Sequence, residues 1–171
     1  MIYRVLQFIR GLRPKISMEK EAWIKSTLSP IELELFKSLP LYEQQHSLNV
    51  ALECCNKSTS KVFLRACLLH DIGKIHSNLT LLNKALVVLL FPLKNLPILP
   101  DFLKKAFYYK DHHPRLGGAL MEKTYLREKP SNLHELTQEE KRIIHLIKAH
   151  HQENPSHDDE LVLLQKADDL Y

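Results

Sequence analysis

The chain has 171 residues, of which 44% are hydrophobic and 26% are charged, and its formal net charge is +4. This length suits one domain with a sizeable core, and four glycines favour helices over sheets. The mild positive charge fits a small anionic substrate and argues against the strongly basic footprint of specific nucleic-acid binding. The three cysteines are odd in number and form no C-x-x-C pair, which argues against a disulfide framework or a structural zinc site and favours a reducing cytoplasm.

Residues 1–28 are predicted to form a basic amphipathic segment that packs on the domain formed by residues 29–171. The first 15 residues mix apolar side chains with Arg4, Arg10 and Arg13. They lack the long apolar core of a signal peptide, so export is not expected. An interfacial membrane helix is the alternative interpretation of this segment.

The next elements follow the helical period. Ser29 and Pro30 provide a cap and a first-turn proline for a helix over 31–39. A second helix is predicted over 42–57. A third begins near Ser60, and Gly73 is predicted to end it.

Residues 79–100 are strongly apolar but are interrupted by Lys84, Pro92 and Pro97. The uninterrupted part is far shorter than the roughly 20 residues of a membrane span. A buried helix followed by a proline-rich connector is predicted, with no transmembrane segment. Residues 75–111 are expected to shape the pocket.

Residues 101–113 are predicted to form a helix that runs into a loop, and Pro114 is predicted to open a new helix. Thr137 and Glu140 form a capping box for the helix that follows. No segment has a convincing strand pattern, so the predicted fold class is all-α.

In the helix after Thr137, His150 and His151 both follow Ile147 at helical spacing and share its apolar face. His145 lies on the opposite, polar side and is expected to face solvent. Asp158 or Asp159 is predicted to cap the last helix.

Leu161, Leu164 and Asp168 share one stripe of that last helix, which places a carboxylate on a buried face. A single inward histidine or aspartate is usually a hydrogen-bonded core residue. Inward histidines on four segments together with two aspartates would be too costly without a shared ion.

The chain resembles the HD-domain superfamily of metal-dependent phosphohydrolases, in its HDIG-type form. The stretch "LLHDIGK" is similar to the signature of that family, "HHPRLGGALM" to its histidine–proline segment, "IKAHHQ" to its double histidine and "QKADDLY" to its closing aspartate. The resemblance covers about residues 41–171. It implies an all-α bundle with a central metal site.

The resemblance implies two divalent metal ions. His46, His70, Asp71 and Asp168 would hold the first, and Asp71 would bridge to a second held by His113, His150 and His151. His113 is preferred to His112 because its spacing to Gly117 matches the family segment. A mixed imidazole and carboxylate set favours Fe or Mn, with Co, Ni, Zn or Mg as alternatives.

Asp71, Lys74 and Asp168 are the expected catalytic residues. Lys74 lies one turn after His70, and we expect it to bind substrate phosphate; its alternative role is a lysine favoured by the helix dipole. Arg115 is a second candidate for phosphate binding, with a solvated surface role as the alternative. Helix packing is the preferred explanation for Gly117 and Gly118.

The sequence therefore predicts a phosphohydrolase that cleaves a phosphate ester or anhydride of a nucleotide or related small molecule. The alternatives are a non-catalytic nucleotide-binding or signalling module, an oxygenase with a di-iron site, and a helical protein with coincidental histidines. Substrate identity and oligomeric state stay open.

Overall fold

The computed structural model describes residues 15–75, 77, 100–130, 135–153, 155 and 157–171. Within these ranges the regular structure is entirely helical, which confirms the predicted all-α class. The elements are α1 (Met18–Thr27), α2 (Pro30–Ser38), α3 (Leu41–Cys55), α4 (Lys61–Leu69), a 3₁₀ turn (Ile72–Lys74), α5 (Asp101–Arg127), α6 (Gln138–Ala149) and α7 (Asp159–Asp168). The predictions for residues 1–14 and 79–99 lie outside the described residues.

The predicted starts of α2, α6 and α7 are confirmed. Pro30 is the first residue of α2. At α6, the Thr137 hydroxyl accepts from the Glu140 N–H at 3.2 Å, and the Thr137 N–H donates to the Glu140 carboxylate at 2.7 Å. Of the two candidate caps for α7, Asp158 is the one used, since its Oδ1 accepts from the Leu161 N–H at 3.1 Å. These bonds satisfy first-turn N–H groups that have no partner within their helix.

The prediction that Gly73 ends the third helix is wrong. That helix, α4, ends at Leu69, and Gly73 lies buried inside the following 3₁₀ turn. A Cβ at Gly73 would collide with the carbonyl oxygen of His113 and lie 2.6 Å from the Gly117 nitrogen. Gly73 is therefore a point of close backbone approach between the turn and α5, and it has no role as a helix stop.

The prediction of a loop before Pro114 is also wrong, because α5 runs without interruption from Asp101 to Arg127. Proline lacks the N–H that would bond to the carbonyl four residues earlier, that of Lys110. In this chain the Nδ1 of His113 lies 2.8 Å from that carbonyl oxygen and takes the place of the missing donor. The helix therefore continues through the proline.

One hydrophobic core joins the helices. The central element is α4, whose Phe63 and Leu68 are fully buried; it packs on α3 and on α6. Ile24 of α1 and the following Leu28 belong to the same core. On the other side, α5 packs on α6 and on the 3₁₀ turn, so Gly117 contacts both. This close packing confirms the preferred explanation for Gly117.

Among the described helices, none is both long enough and apolar enough to cross a membrane.

Candidate metal centre

The structure brings together side chains from five helices in a histidine–aspartate cluster. His46 projects from the middle of α3, and Asp168 is the last residue of α7. The other members occupy the two positions directly after α4, the middle of α5, and the two positions directly after α6. In chain order the cluster consists of His46, His70, Asp71, His113, His150, His151 and Asp168.

One part of the cluster surrounds the carboxylate of Asp168. Its Oδ1 lies 2.9 Å from Nε2 of His46 and 3.4 Å from Nε2 of His70. The Oδ2 of Asp71 lies 3.5 Å from each of the same two nitrogens. Four donor atoms thus converge on one small volume.

The other part lies on the opposite side of Asp71. The Nε2 of His113 is 3.2 Å from Oδ1 of Asp71 and 3.2 Å from Nε2 of His150. The ring of His151 is centred 4.3 Å from that of His150 and 5.0 Å from that of His113. The two oxygens of Asp71 therefore face two different sets of histidines.

The donor atoms fit divalent metal ions. Bonds of about 2.1 Å from a metal to nitrogen or oxygen place neighbouring ligand atoms about 3.0 to 3.4 Å apart, close to the spacings here. Nε2 of His70 and Oδ1 of Asp71 are buried polar atoms with no hydrogen-bond partner. Buried polar atoms nearly always have a partner, and a metal ion would supply one for both.

Three of the histidines have a defined tautomer. In each, Nδ1 lies 2.7 to 2.8 Å from a backbone carbonyl oxygen three residues earlier. A carbonyl oxygen only accepts, so Nδ1 carries the hydrogen and Nε2 of the neutral ring presents a lone pair to the cluster. The pairs are His70 with Cys67, His113 with Lys110, and His150 with Ile147.

The carboxylates of the cluster are held ionised. Burial alone would raise the pKa of Asp71, but the charges of Lys74 and His70 outweigh it and hold that pKa well below its usual range. Burial also opposes ionisation of Asp168, but the hydrogen bond from His46 and the adjacent ring of His70 lower its pKa. Both aspartates therefore offer the anionic form that a metal ion requires.

The histidines divide by charge. Burial lowers the pKa of His70, but the facing carboxylates of Asp71 and Asp168 raise it well above its usual value. Burial lowers the pKa of His113 to about 4, and burial likewise lowers the pKa values of His150 and His151. The second set of imidazoles is therefore neutral at pH 7 even without a metal ion.

Lys74 lies at the edge of the cluster, with its Nζ 2.5 Å from Oδ2 of Asp71. Burial lowers the pKa of Lys74, but the carboxylates of Asp71 and Glu43 raise it above its usual range. Glu43 is not among the residues predicted from the sequence; it is 2% exposed and lies one helical turn before His46 on α3. That spacing was the available signal.

The structure separates other candidates from the cluster. Arg115 is exposed on α5, and no contact with the cluster is found for it among the described residues. The Nδ1 of His112 bonds to the Tyr108 carbonyl, and its ring stacks on the Tyr108 ring, so His113 is the histidine of this pair that joins the cluster. His145 is exposed, as predicted.

The expectation that His151 lies on the buried face of α6 is wrong. The helix ends at Ala149, so helical spacing no longer sets the direction of the side chain two residues later. His151 is exposed to solvent while its ring still packs beside those of His113 and His150. Asp168 is half-buried, with 16% of its side chain exposed. The cluster therefore has an open side, formed by His46, His151 and Asp168.

A cluster of histidines and aspartates, most of them buried among the helices that the structure describes, is the kind of site found in metal-dependent hydrolases. A family model described as "Cas3, HD domain" matches residues 33–169, and the chain therefore belongs to the HD-domain family. HD domains typically are metal-dependent hydrolases that bind divalent metal ions. Comparisons with curated proteins and with solved structures found no match.

Proposed function

We propose that this protein is a phosphohydrolase that uses two divalent metal ions to cleave a phosphate ester or anhydride of a nucleotide or a related small molecule. The observation that supports it most directly is the position of Asp71, whose two oxygens face two separate groups of histidines. A carboxylate placed in this way is suited to bridge two ions. The family adds the expectation of a phosphate-containing substrate.

In this proposal the first ion is held by His46, His70, Asp71 and Asp168. The second is held by Asp71 with three histidines, His113, His150 and His151. Two such ions, when bound, supply a nucleophile from water at neutral pH and neutralise negative charge on a phosphoryl group. The nitrogen and oxygen donors favour Fe or Mn, and Co, Ni, Zn and Mg are the other ions to compare.

The remaining roles go to Asp168 at the open side and to two cationic side chains, Lys74 and Arg115. Asp168 has a lowered pKa, so its carboxylate accepts a hydrogen bond and orients the attacking water. Lys74 carries a positive charge next to Asp71 and binds a phosphate oxygen of the substrate. Arg115, exposed two residues after His113, is the second candidate for contact with substrate phosphate.

We propose that the protein works in the cytoplasm. Its three cysteines are free thiols, and those of Cys54 and Cys67 are buried. Free thiols persist in a reducing compartment, and a small phosphate-containing anion such as a nucleotide is the expected partner.

The test is hydrolysis by the full chain loaded with each metal in turn. The substrates are p-nitrophenyl phosphate, bis(p-nitrophenyl) phosphate and a panel of nucleotides. We expect metal-dependent release of product that Asp71→Asn abolishes and that His145→Gln, which changes an exposed histidine at 55% side-chain exposure, leaves intact. If the protein bound nucleotides but hydrolysed none of the substrates with any of the metals, the phosphohydrolase hypothesis would be wrong. The non-catalytic nucleotide-binding module would then be supported.

A further inference from the structure

The proline inside α5 directly follows a histidine of the cluster. Pro114 is buried in the middle of a 27-residue helix. Proline is strongly unfavourable in a helix interior, because it removes one hydrogen bond and crowds the preceding turn. A buried interior proline therefore calls for a compensating role.

Pro114 removes the backbone hydrogen bond that would otherwise be made to the carbonyl to which His113 binds. In a regular helix, the N–H of residue 114 would donate to the carbonyl of Lys110. Proline has no such N–H, and Nδ1 of His113 lies 2.8 Å from that oxygen and 3.2 Å from the carbonyl oxygen of Tyr109. The imidazole therefore occupies the acceptor that the backbone would otherwise use.

The other two cluster histidines whose Nδ1 bonds to the carbonyl three residues earlier do so without a proline. His112, outside the cluster, bonds instead to the carbonyl four residues earlier, that of Tyr108. His70 directly follows the end of α4, and His150 directly follows the end of α6. The residue after each histidine lies beyond the helix, so its N–H makes no helical bond to the carbonyl that the imidazole uses. His113 lies 14 residues before the last residue of α5, at Arg127, so its helix supplies no such end.

We propose that Pro114 is a positioning residue for the second metal ion. It withholds the backbone N–H that would compete for the Lys110 carbonyl, and it thereby fixes His113 with the hydrogen on Nδ1 and the lone pair on Nε2. The metal part of this inference rests on the proposed function, whereas the tautomer part concerns the metal-free chain. Pro114 itself contacts no substrate in this account.

The geometry gives the positioning a direct consequence for the cluster. Nε2 of His113 lies 3.2 Å from both Oδ1 of Asp71 and Nε2 of His150. If Nε2 carried the hydrogen, it would donate to one of these atoms, and it would have no lone pair with which to bind a metal ion. Outer-shell bonds that set a ligand's tautomer typically alter metal affinity by about 10- to 100-fold.

The experiment compares the wild-type chain with Pro114→Ala, which restores the backbone N–H. The first readout is the ¹⁵N spectrum of histidine side chains in metal-free protein at pH 8, with His113→Gln used to assign the His113 signals. The second readout is the affinity for Mn²⁺ at each of the two sites by calorimetry. The control is Pro30→Ala, which removes a proline from the first residue of α2, far along the chain from any cluster histidine.

We expect wild-type His113 to show a single tautomer with unprotonated Nε2, and Pro114→Ala to show a mixture. The second Mn²⁺ should bind about 10-fold more weakly or worse in Pro114→Ala, while the first is unchanged. Thermal stability should rise, since alanine is favoured over proline in a helix interior. The Pro30→Ala control should keep both the tautomer and the affinities.

A pure Nδ1–H tautomer in Pro114→Ala, with unchanged Mn²⁺ affinity, would overturn the inference. Wild-type protein that binds no metal would instead overturn the proposed function, and the tautomer comparison would still decide the role of the proline. If Pro114→Ala fails to fold, Pro114→Gly restores the same N–H and provides the same two readouts.

Discussion

Two of the buried carboxylates in the described part of the chain differ in how their oxygens are satisfied. Glu32 on α2 is 0% exposed, and Asp71 between α4 and the 3₁₀ turn is 1% exposed. Burying an ionised carboxylate is costly unless it is paired and hydrogen-bonded. Their surroundings differ, and that difference separates a structural site from a functional one.

Both carboxylate oxygens of Glu32 accept hydrogen bonds from donors within the protein. Arg65 donates to it from Nε at 3.0 Å and from Nη2 at 2.8 Å, and the hydroxyl of Tyr125 and the N–H of Ser29 also donate. Burial raises the pKa of Glu32, but the bonds from Arg65 and Tyr125 outweigh it and lower that pKa overall. The arrangement ties α2, α4 and α5 together and leaves no oxygen for a ligand.

Only one carboxylate oxygen of Asp71 accepts a hydrogen bond from the protein. Lys74 contacts its Oδ2, whereas its Oδ1 has no hydrogen-bond partner, and neither does Nε2 of the neighbouring His70. Leaving these two buried atoms without a hydrogen bond lowers the stability of the fold, whereas every oxygen of Glu32 is hydrogen-bonded. The contrast supports the proposal that the histidine–aspartate cluster around Asp71 binds a ligand.

The largest effect is expected from Asp71→Asn. The amide retains one oxygen but loses the charge and the capacity to bridge two ions, so hydrolysis of a responsive phosphate ester should fall by more than about 100-fold. The measurement is kcat and KM with saturating metal. His145→Gln is the matched control, and equal losses in the two variants would contradict a specific role for Asp71.

Glu32→Gln should destabilise the fold and leave metal binding intact. The change leaves the charge of Arg65 without its buried partner, at a cost of about 3 kcal/mol in the free energy of unfolding. Urea unfolding measures this, with Glu139→Gln as the control: Glu139 also contacts Arg65 but is 66% exposed, so its loss should cost less than about 1 kcal/mol.

The metal-induced rise in Tm sharpens the comparison between the two carboxylates. Ligands that bind only the folded state stabilise it by mass action. Glu32→Gln should therefore lower Tm yet retain the rise on adding Mn²⁺, and Asp71→Asn should lose the rise. A lost rise in Glu32→Gln would mean that the two clusters are coupled.

Lys74→Met should weaken substrate binding more than metal binding. Removing a charge-assisted bond to phosphate should raise KM about 10-fold, while the number of ions per chain is unchanged. Arg115→Met is the control at an exposed position and should change KM by less than about 2-fold on small substrates. Equal effects of the two substitutions would argue against the assignment of phosphate binding to Lys74.

The smallest expected effect is a difference in proton release between the two halves of the cluster. Burial lowers the pKa of His70, but the carboxylates of Asp71 and Asp168 raise it above its usual value, so protons compete with a metal ion for this ring more strongly than for the rings of the second half. The pKa of His113 is about 4, so its ring is already neutral. The first ion should therefore bind more weakly as the pH falls through neutrality, and the second should not.

Calorimetry at pH 7 in two buffers of different ionisation enthalpy measures this release. More protons should leave per first ion than per second ion. By linkage, the raised pKa of His70 stabilises the metal-free fold below pH 6.5, and this contribution is lost as the pH rises through the folded-state pKa. Equal proton release for both ions would contradict the division between the histidines.

Much of the fold and most of the cluster could be predicted from the sequence. Helical periodicity and caps such as the Thr137–Glu140 box are local signals, and the structure confirms them. The family resemblance selected His113 over His112, which periodicity alone could not do. The roles of the seven cluster residues stay predictions, although the structure brings all seven together.

What failed depended on contacts between distant residues. Pro114 has the same local signature at a helix start and in a helix interior, and only the bond from His113 to Lys110 distinguishes them. Gly73 was interpreted as a helix stop because its close approach to α5 is not visible in sequence. The side-chain partners of Glu32, Arg65 and Tyr125, lie 33 and 93 residues away, beyond any periodic pattern.

The most direct test of the account is the number of metal ions per chain, measured by elemental analysis after loading with Mn²⁺ or Fe²⁺. The wild-type protein should hold about two, while His46→Gln and His151→Gln should each hold about one, because each removes a ligand from a different half of the cluster. A wild-type protein that holds none, or variants that hold as many ions as the wild type, would contradict a two-metal centre bridged by Asp71.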